Sequence, residues 1–77
     1  METSQPARRG LTPIEVLEEI AVRGHISTAA NFAKVHHYSI ALLASSGFIT
    51  SLTRDGLPSP AWRVTYAGHT FLERTAL

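Results

Sequence analysis

The sequence predicts a small domain of the α+β class, and two stretches carry that prediction. Residues 36–50, HHYSIALLASSGFIT, have the apolar spacing of a helix, followed by Gly47 and by the strand-forming residues Phe48 and Ile49. Glycine commonly ends a helix because it can take the left-handed backbone conformation. Residues 61–72 then pass from a strand pattern into a helix pattern. Helices that flank a pair of neighbouring strands are typical of an α+β fold.

Length and composition limit both the size of the fold and its chemistry. The chain has 77 residues, 44% of them hydrophobic, which suits one folded domain and is too apolar for a disordered chain. Its apolar runs fall short of the ~18 residues that cross a bilayer, and its N-terminus lacks the apolar segment of a secretory signal. The absence of cysteine excludes disulfides and thiolate metal sites. We expect a cytoplasmic protein that does not bind a membrane.

The first eleven residues, METSQPARRGL, have no periodic pattern and contain Pro6, Gly10 and the pair Arg8 and Arg9. We interpret residues 1–11 as a flexible arm that precedes a domain of residues 12–77. A basic arm can reach for phosphate or for a minor groove. An untethered terminus explains the same composition and is the more ordinary interpretation.

A first helix should begin at Thr12 and end at Gly24. Thr12 and Glu15 have the spacing of a capping box, and Pro13 suits the first helical position. The apolar positions should form one buried face: Ile14, Leu17, Ile20 and Ala21, with Val16 beside it. Glutamates cover the opposite face and would repel phosphate, so we expect this helix to be scaffold.

The next segment allows two arrangements. We expect a short strand at His25 and Ile26, and a second helix over residues 29–35 that Ser27 or Thr28 would cap. One unbroken helix over residues 28–46 fits the apolar spacing nearly as well, because no glycine marks a turn. We favour a tight turn at residues 35–37. The residues of the second helix that should face inward are Phe32 and Ala33.

The remaining residues predict a hairpin and a closing helix. One strand should cover residues 48–53, the tip residues 54–60 and the return strand residues 61–65, because the tip contains Asp-Gly and two prolines. Thr65 should cap the last helix, and Gly68 should allow a close backbone approach. Residues of this segment expected to face the core are Trp62, Val64, Phe71 and Leu72, whereas Arg63 and Thr65 should point outward.

The helix-Gly-Phe-Ile junction at residues 43–49 and the pattern Thr-x-x-Gly-His-x-Phe-Leu at residues 65–72 resemble small winged helix-turn-helix proteins of phages and mobile elements. The resemblance covers roughly residues 12–75. It implies a three-helix core, a two- or three-stranded wing and a short C-terminal helix. One departure concerns the recognition helix, in which Ser39 stands where that group often has a histidine.

In a recognition helix, the first turn is where base edges and phosphates are contacted. Hydroxyl, phenol and imidazole groups can donate hydrogen bonds to both base edges and phosphates. The turn lacks the arginine, asparagine or glutamine that recognises a base through two hydrogen bonds. The expected DNA-contacting residues are this turn, a neighbouring cation and two arginines of the wing: Lys34, His36, His37, Tyr38, Ser39, Arg54 and Arg63. A structural alternative packs His36 at the helix junction and Tyr38 against the wing.

Charge distribution gives two hypotheses for function. The first helix is acidic, whereas residues 25–72 carry three arginines or lysines against Asp55 alone. This favours a transcriptional regulator that binds double-stranded DNA through the helix beginning near His36 and the wing near Arg54, acting as a homodimer. The net charge of only +1 favours the alternative, a protein-interaction module or inhibitor that binds a host protein complex.

Enzymatic and metal-dependent functions have little support in the sequence. His36 and His37 are adjacent and would point about 100° apart on a helix, so they are poorly placed to share an ion. No nucleophile elbow, phosphate-binding loop or pair of catalytic carboxylates stands out. We therefore expect neither a catalytic site nor a metal or cofactor.

Overall fold

The computed structural model describes residues 11–75, and the arm expected at residues 1–11 lies outside this range except for Leu11. Within it, the helices are α1 (Pro13–Arg23), α2 (Asn31–Val35), α3 (His37–Ser45) and α4 (Tyr66–Thr75). The strands are β1 (Ile26–Ser27), β2 (Ile49–Leu52) and β3 (Pro58–Val64). The described chain is an α+β domain, which confirms the predicted class.

The three strands form one antiparallel sheet with β3 at its centre, in the order β1–β3–β2. Ile26 of β1 pairs with Trp62, and Ile49 of β2 pairs with Val64. The strands β1 and β2 therefore lie on opposite edges, and the segment that contains α2 and α3 crosses from one edge to the other.

The start and end of α1 follow the predicted capping rules. The Thr12 amide donates to the Glu15 carboxylate at 2.8 Å, and the Glu15 amide donates to the Thr12 hydroxyl at 3.2 Å. Pro13 occupies the first turn, and Gly24 ends the helix with a φ of 87°. These interactions satisfy amides that the helix itself leaves without partners.

The buried face of α1 is rotated from the predicted one. Val16, Leu17 and Ile20 are fully buried, whereas Ile14 is 39% exposed. The prediction that Ile14 belongs to the core is therefore wrong. At 100° per residue, position 14 lies about 110° from the centre of the face formed by the other three.

The second helix begins later than predicted, at Asn31, and neither Ser27 nor Thr28 caps it. The residue at its cap position is Ala30, which has no side chain able to bond a backbone amide. Ser27 instead stabilises the preceding turn, where its hydroxyl accepts from the Ala29 amide at 3.2 Å and its carbonyl accepts from the Ala30 amide. The predicted cap is wrong because Ser27 is held in β1.

A break at His36 separates α2 from α3, so the two-helix arrangement is confirmed. His36 has φ −107° and ψ 28°, which lies in the sparsely populated bridge region that residues other than glycine can adopt. Its amide still donates to the Phe32 carbonyl, and its carbonyl accepts from the Ile40 amide. His36 thus turns the chain while it keeps both of its own backbone hydrogen bonds, and the turn needs no glycine.

The hairpin has a shorter first strand and a longer second strand than predicted. The expected tip reaches Pro60, but β3 already begins at Pro58. The Pro60 carbonyl accepts from the Thr28 amide, just beyond β1, so residues 58 and 60 direct their backbone groups toward that edge. Because β1 ends at Ser27, it does not extend opposite residues 58 and 60. The two prolines, which cannot donate a backbone hydrogen bond, therefore remove no bond between β1 and β3.

The junction between the helices and the hairpin depends on two glycines and one threonine. Gly47 has φ 82°, the left-handed conformation that the sequence predicted. The Thr65 hydroxyl accepts from the Gly68 amide at 3.0 Å and so caps α4. Thr65 is half-buried rather than pointing outward, because it also donates to the Gly47 carbonyl at 2.7 Å.

The core lies between α1, α3 and the sheet. Its buried members in α3 and β2 are Ile40, Leu43 and Ile49, and Phe48 stacks on Phe71 of α4 with ring centroids 4.6 Å apart. The partly buried residues packed on it include five that the sequence placed inward: Phe32, Trp62, Val64, Phe71 and Leu72. Among the described residues, every helix is too short or too polar to span a bilayer.

Candidate functional site

The outer face of α3 is the largest part of the predicted site. Ile40 and Leu43 point into the core, so the helix presents the residues at other angles to solvent. These solvent-facing residues are His37, Tyr38, Ala41, Leu42 and Ser45. No lysine, arginine, aspartate or glutamate occurs between Lys34 and Arg54. The face therefore combines two aromatic rings, small residues and a leucine, and it carries no permanent charge.

One flank of this face borders the hairpin. Lys34, His37 and Ala41 line a groove of about 420 Å³ together with Trp62 of β3, and we call this the hairpin-side groove. Its other lining residues are Thr28, Ala33 and Ile40. The His37 ring is fixed there because its Nδ1 lies 3.1 Å from the Lys34 carbonyl oxygen. The groove offers an ammonium group, an imidazole and an aromatic surface to a ligand.

The opposite flank of α3 borders the start of α1. Tyr38, Leu42 and Pro13 line a second groove of about 370 Å³, which we call the α1-side groove. Ser39, Ala41 and Ser45 complete its lining. The side chains of Tyr38 and Leu42 are 85% and 54% exposed. Within residues 11–75, this surface is apolar and its lining contains no cation.

His36 is separated from the other predicted contact residues by its packing. It is half-buried at the junction of α2 and α3, and its ring lies 4.6 Å from that of Phe32. The other neighbour of Phe32 is Arg23, whose guanidinium carbon lies 5.1 Å from the ring centroid. This placement matches the alternative in which His36 packs at the helix junction.

The hairpin arginines lie apart from the hairpin-side groove. Arg63 follows Trp62 in β3, and successive side chains of a strand point to opposite faces. Because Trp62 lines the groove, Arg63 faces away from it, and its guanidinium lies 3.5 Å from the Ser59 hydroxyl. Arg54 is exposed in the turn at the hairpin tip, where Gly56 has φ 83°.

The seven predicted residues therefore fall into separate groups. Lys34 and His37 meet in the hairpin-side groove, whereas Tyr38 and Ser39 line the α1-side groove. Sequence reasoning missed two residues that shape these surfaces, Trp62 and Leu42. Leu42 lies four residues after Tyr38, and this helical spacing could have placed Tyr38 and Leu42 on one exposed stripe.

Within residues 11–75, no group of three or more histidine, aspartate or glutamate side chains is arranged to hold a metal ion. No known family model matches the chain, and comparisons with curated proteins and with solved structures likewise found no match.

Proposed function

We propose that this domain is a winged helix-turn-helix that binds double-stranded DNA as a transcriptional regulator. Two features support the fold assignment: the element order α1–β1–α2–α3–β2–β3–α4, and a sheet in which β3 lies between β1 and β2. In this proposal α2 and α3 are the helix-turn-helix, with α3 as the recognition helix, and the β2–β3 hairpin is the wing.

The observation that carries the DNA proposal is the position of the first turn of α3. Its residue His37 is exposed beside Lys34, and both line a groove against the hairpin. His36 precedes the helix without a side-chain cap, so its side chain leaves the first amides of α3 free to meet an anion. A phosphate at this end would gain both these amides and the Lys34 ammonium group.

The remaining predicted residues take different roles in this proposal. Lys34 and the wing residues Arg54 and Arg63 are assigned to phosphates, because their charge gives sequence-independent attraction. His37, Tyr38 and Ser39 are assigned to base edges or to phosphate. His36 acts indirectly, since its half-buried ring on Phe32 sets the angle at which α3 leaves α2.

The test is a titration of fluorescent duplex DNA, followed by anisotropy at several salt concentrations. Three phosphate contacts predict a slope of log K against log salt of about −2.7, and non-specific dissociation constants of ~1–100 μM at physiological salt. Lys34→Ala should reduce the steepness of the slope by about 0.9. The matched control is Arg74→Ala, which removes an exposed cation from α4 and should leave the slope unchanged.

A failure to bind DNA would favour the second candidate function, a module that binds a host protein complex. The absence of charge on the outer face of α3 favours it, since nucleic-acid surfaces are usually rich in cations. Binding weaker than ~100 μM at 50 mM salt, on both random and genomic duplexes, would reject the DNA proposal. If Lys34→Ala and the wild type bound the duplexes equally weakly, the protein-interaction module would remain as the candidate function.

A further inference from the structure

The exposed apolar stripe on α3 is larger than the DNA proposal requires. Tyr38 and Leu42 are one helical turn apart and project beside Pro13 of α1, 85% and 54% exposed. Leu11 lies two residues before Pro13 and Ile14 directly after it, and both are 39% exposed. Monomeric proteins rarely leave large contiguous apolar patches in water, so a patch of this kind commonly marks an interaction surface.

We propose that a second copy of this chain covers the α1-side groove, through a two-fold contact centred on Tyr38 and Leu42. This self-association does not depend on DNA. The hairpin-side groove lies on the other flank of α3, so Lys34 and His37 would stay accessible in each copy. Tyr38 and Ser39 would be covered in the dimer, so these two residues could contact DNA only in the monomer.

Charge is the first argument for a second copy over another partner. A two-fold axis places groups near their own copies, so any charge at the centre of the contact would face a like charge. Among the described residues, those that line the α1-side groove are Pro13, Tyr38, Ser39, Ala41, Leu42 and Ser45, and none of these is charged. The nearest acidic group in sequence is Glu15, whose carboxylate already accepts from the Thr12 amide.

Shape is the second argument. The patch contains both a concave part, the groove of about 370 Å³, and a convex part, the exposed ring of Tyr38 and the side chain of Leu42. A two-fold arrangement lets the convex part of each copy enter the concave part of the other, which is what an isologous contact requires. One surface thus supplies both complementary halves.

The small size of this contact predicts a weak association. A tyrosine ring that becomes covered removes ~150–200 Å² from water, whereas specific interfaces begin at about 600 Å² per partner, so a contact centred on Tyr38 and Leu42 would be a small one. Interfaces of the standard, larger size already extend down to micromolar affinity. We therefore expect a concentration-dependent dimer with a dissociation constant of ~10–100 μM.

Sedimentation velocity over a range of ~5–500 μM protein tests the proposal. The wild-type mass should rise from 8.4 kDa toward twice that value as the concentration increases. Leu42→Glu should stay monomeric because the two-fold axis brings the two new carboxylates together, where they repel each other. Val22→Glu is the matched control: Val22 is an exposed apolar residue of α1, 83% exposed, that does not line the groove. It should associate like the wild type.

A charge-pair experiment identifies the occupant as a second copy. Leu42→Lys should also be monomeric alone, whereas an equimolar mixture with Leu42→Glu should recover a dimer, because opposite charges then meet across the axis. Tyr38→Ser, a change at an 85% exposed position, provides a second monomeric variant. Circular dichroism melts of each variant confirm that it is folded.

Three outcomes would overturn the proposal. The first is a wild-type protein that remains at 8.4 kDa throughout the range, which would leave the face to a different protein or to solvent. The second is association of Leu42→Glu equal to that of the wild type. The third is loss of association in Val22→Glu as well, which would assign the effect to general surface charge.

Discussion

The backbone of Gly68 in α4 packs directly on the carbonyl group of Phe48, at the point where the chain leaves α3 for the hairpin. A Cβ atom at position 68 would collide with that carbonyl oxygen and would lie 2.7 Å from Cγ1 of Val64. The Phe48 carbonyl also accepts from the Thr65 amide, so it cannot move away freely. The absence of a side chain at Gly68 therefore sets how closely the last helix approaches the junction.

The first prediction is that Gly68→Ala destabilises the domain. Helix propensity alone would favour alanine by about 1 kcal/mol, but overpacking of a close contact typically costs about 1–3 kcal/mol. We expect a net loss in the free energy of unfolding, measured by urea denaturation. Ala67→Gly, at the exposed neighbouring position, should show the propensity effect alone, at about 1 kcal/mol of loss. A more stable Gly68→Ala variant would contradict the close approach.

The second prediction concerns the cap at Thr65. Replacement by valine keeps the shape but removes the bond to the Gly47 carbonyl and the bond from the Gly68 amide. Loss of such a cap typically costs about 0.5–2 kcal/mol, and the unpaired carbonyl adds to it. Thr70→Val, in the same helix, removes a hydroxyl that makes no hydrogen bond within residues 11–75, and should be nearly neutral. Equal melting temperatures for both variants would count against the cap.

The third prediction concerns the left-handed conformation of Gly47. Among the described residues, no neighbouring atom lies within 4 Å of a Cβ built there, so any cost of substitution comes from the backbone and not from a clash. Gly47→Ala should lose about 1–2 kcal/mol, and Gly47→Val should lose more because valine is β-branched. Gly47→Asn should be the mildest of the three, because asparagine tolerates positive φ. Equal losses for alanine and asparagine would show that φ is not the cause.

The fourth prediction compares two adjacent leucines of α3. Leu43 is 4% exposed, so Leu43→Ala should lose about 2–5 kcal/mol through the lost burial and the cavity left behind. Leu42 is 54% exposed, and Leu42→Ala should change the free energy of unfolding by less than about 1 kcal/mol. Denaturant titration of both variants at low protein concentration avoids any contribution from dimerisation. The reverse order would mean that α3 is rotated about its axis.

Features governed by local chemistry could be predicted from the sequence. The capping box at Thr12 and Glu15, the positive φ of Gly47 and the cap at Thr65 each depend on a few neighbouring residues whose preferences are strong. The close approach at Gly68 could be anticipated because an isolated glycine within a helical pattern costs stability and calls for a reason in packing. These features also mark where the helices begin and end.

Features governed by tertiary contacts were harder to predict. The break at His36 occurs in a backbone region that residues other than glycine can adopt, so no residue type marks it. The start of β3 at Pro58 depends on where the neighbouring strand β1 ends, which the hairpin sequence does not encode. Helical geometry separates His37 from Tyr38 by about 100°, but only the packing of α1 and β3 decides which groove each residue lines.

The last prediction separates the wing from the recognition helix in the proposed DNA complex. Arg54→Ala and Arg63→Ala should each reduce the salt slope by about 1, because each is assigned one phosphate. Affinity should fall about equally on unrelated duplexes, since phosphate contacts carry no sequence information. Both side chains are exposed, so the free energy of unfolding should change by less than about 0.5 kcal/mol. Arg74→Ala again serves as the control for a lost cation.

Because Arg63 faces away from the hairpin-side groove, a slope that changes only for Arg54→Ala would place the duplex at the hairpin tip. A slope that changes for neither variant would remove the hairpin from the interface and leave Lys34 as the one cation of the groove to meet phosphate.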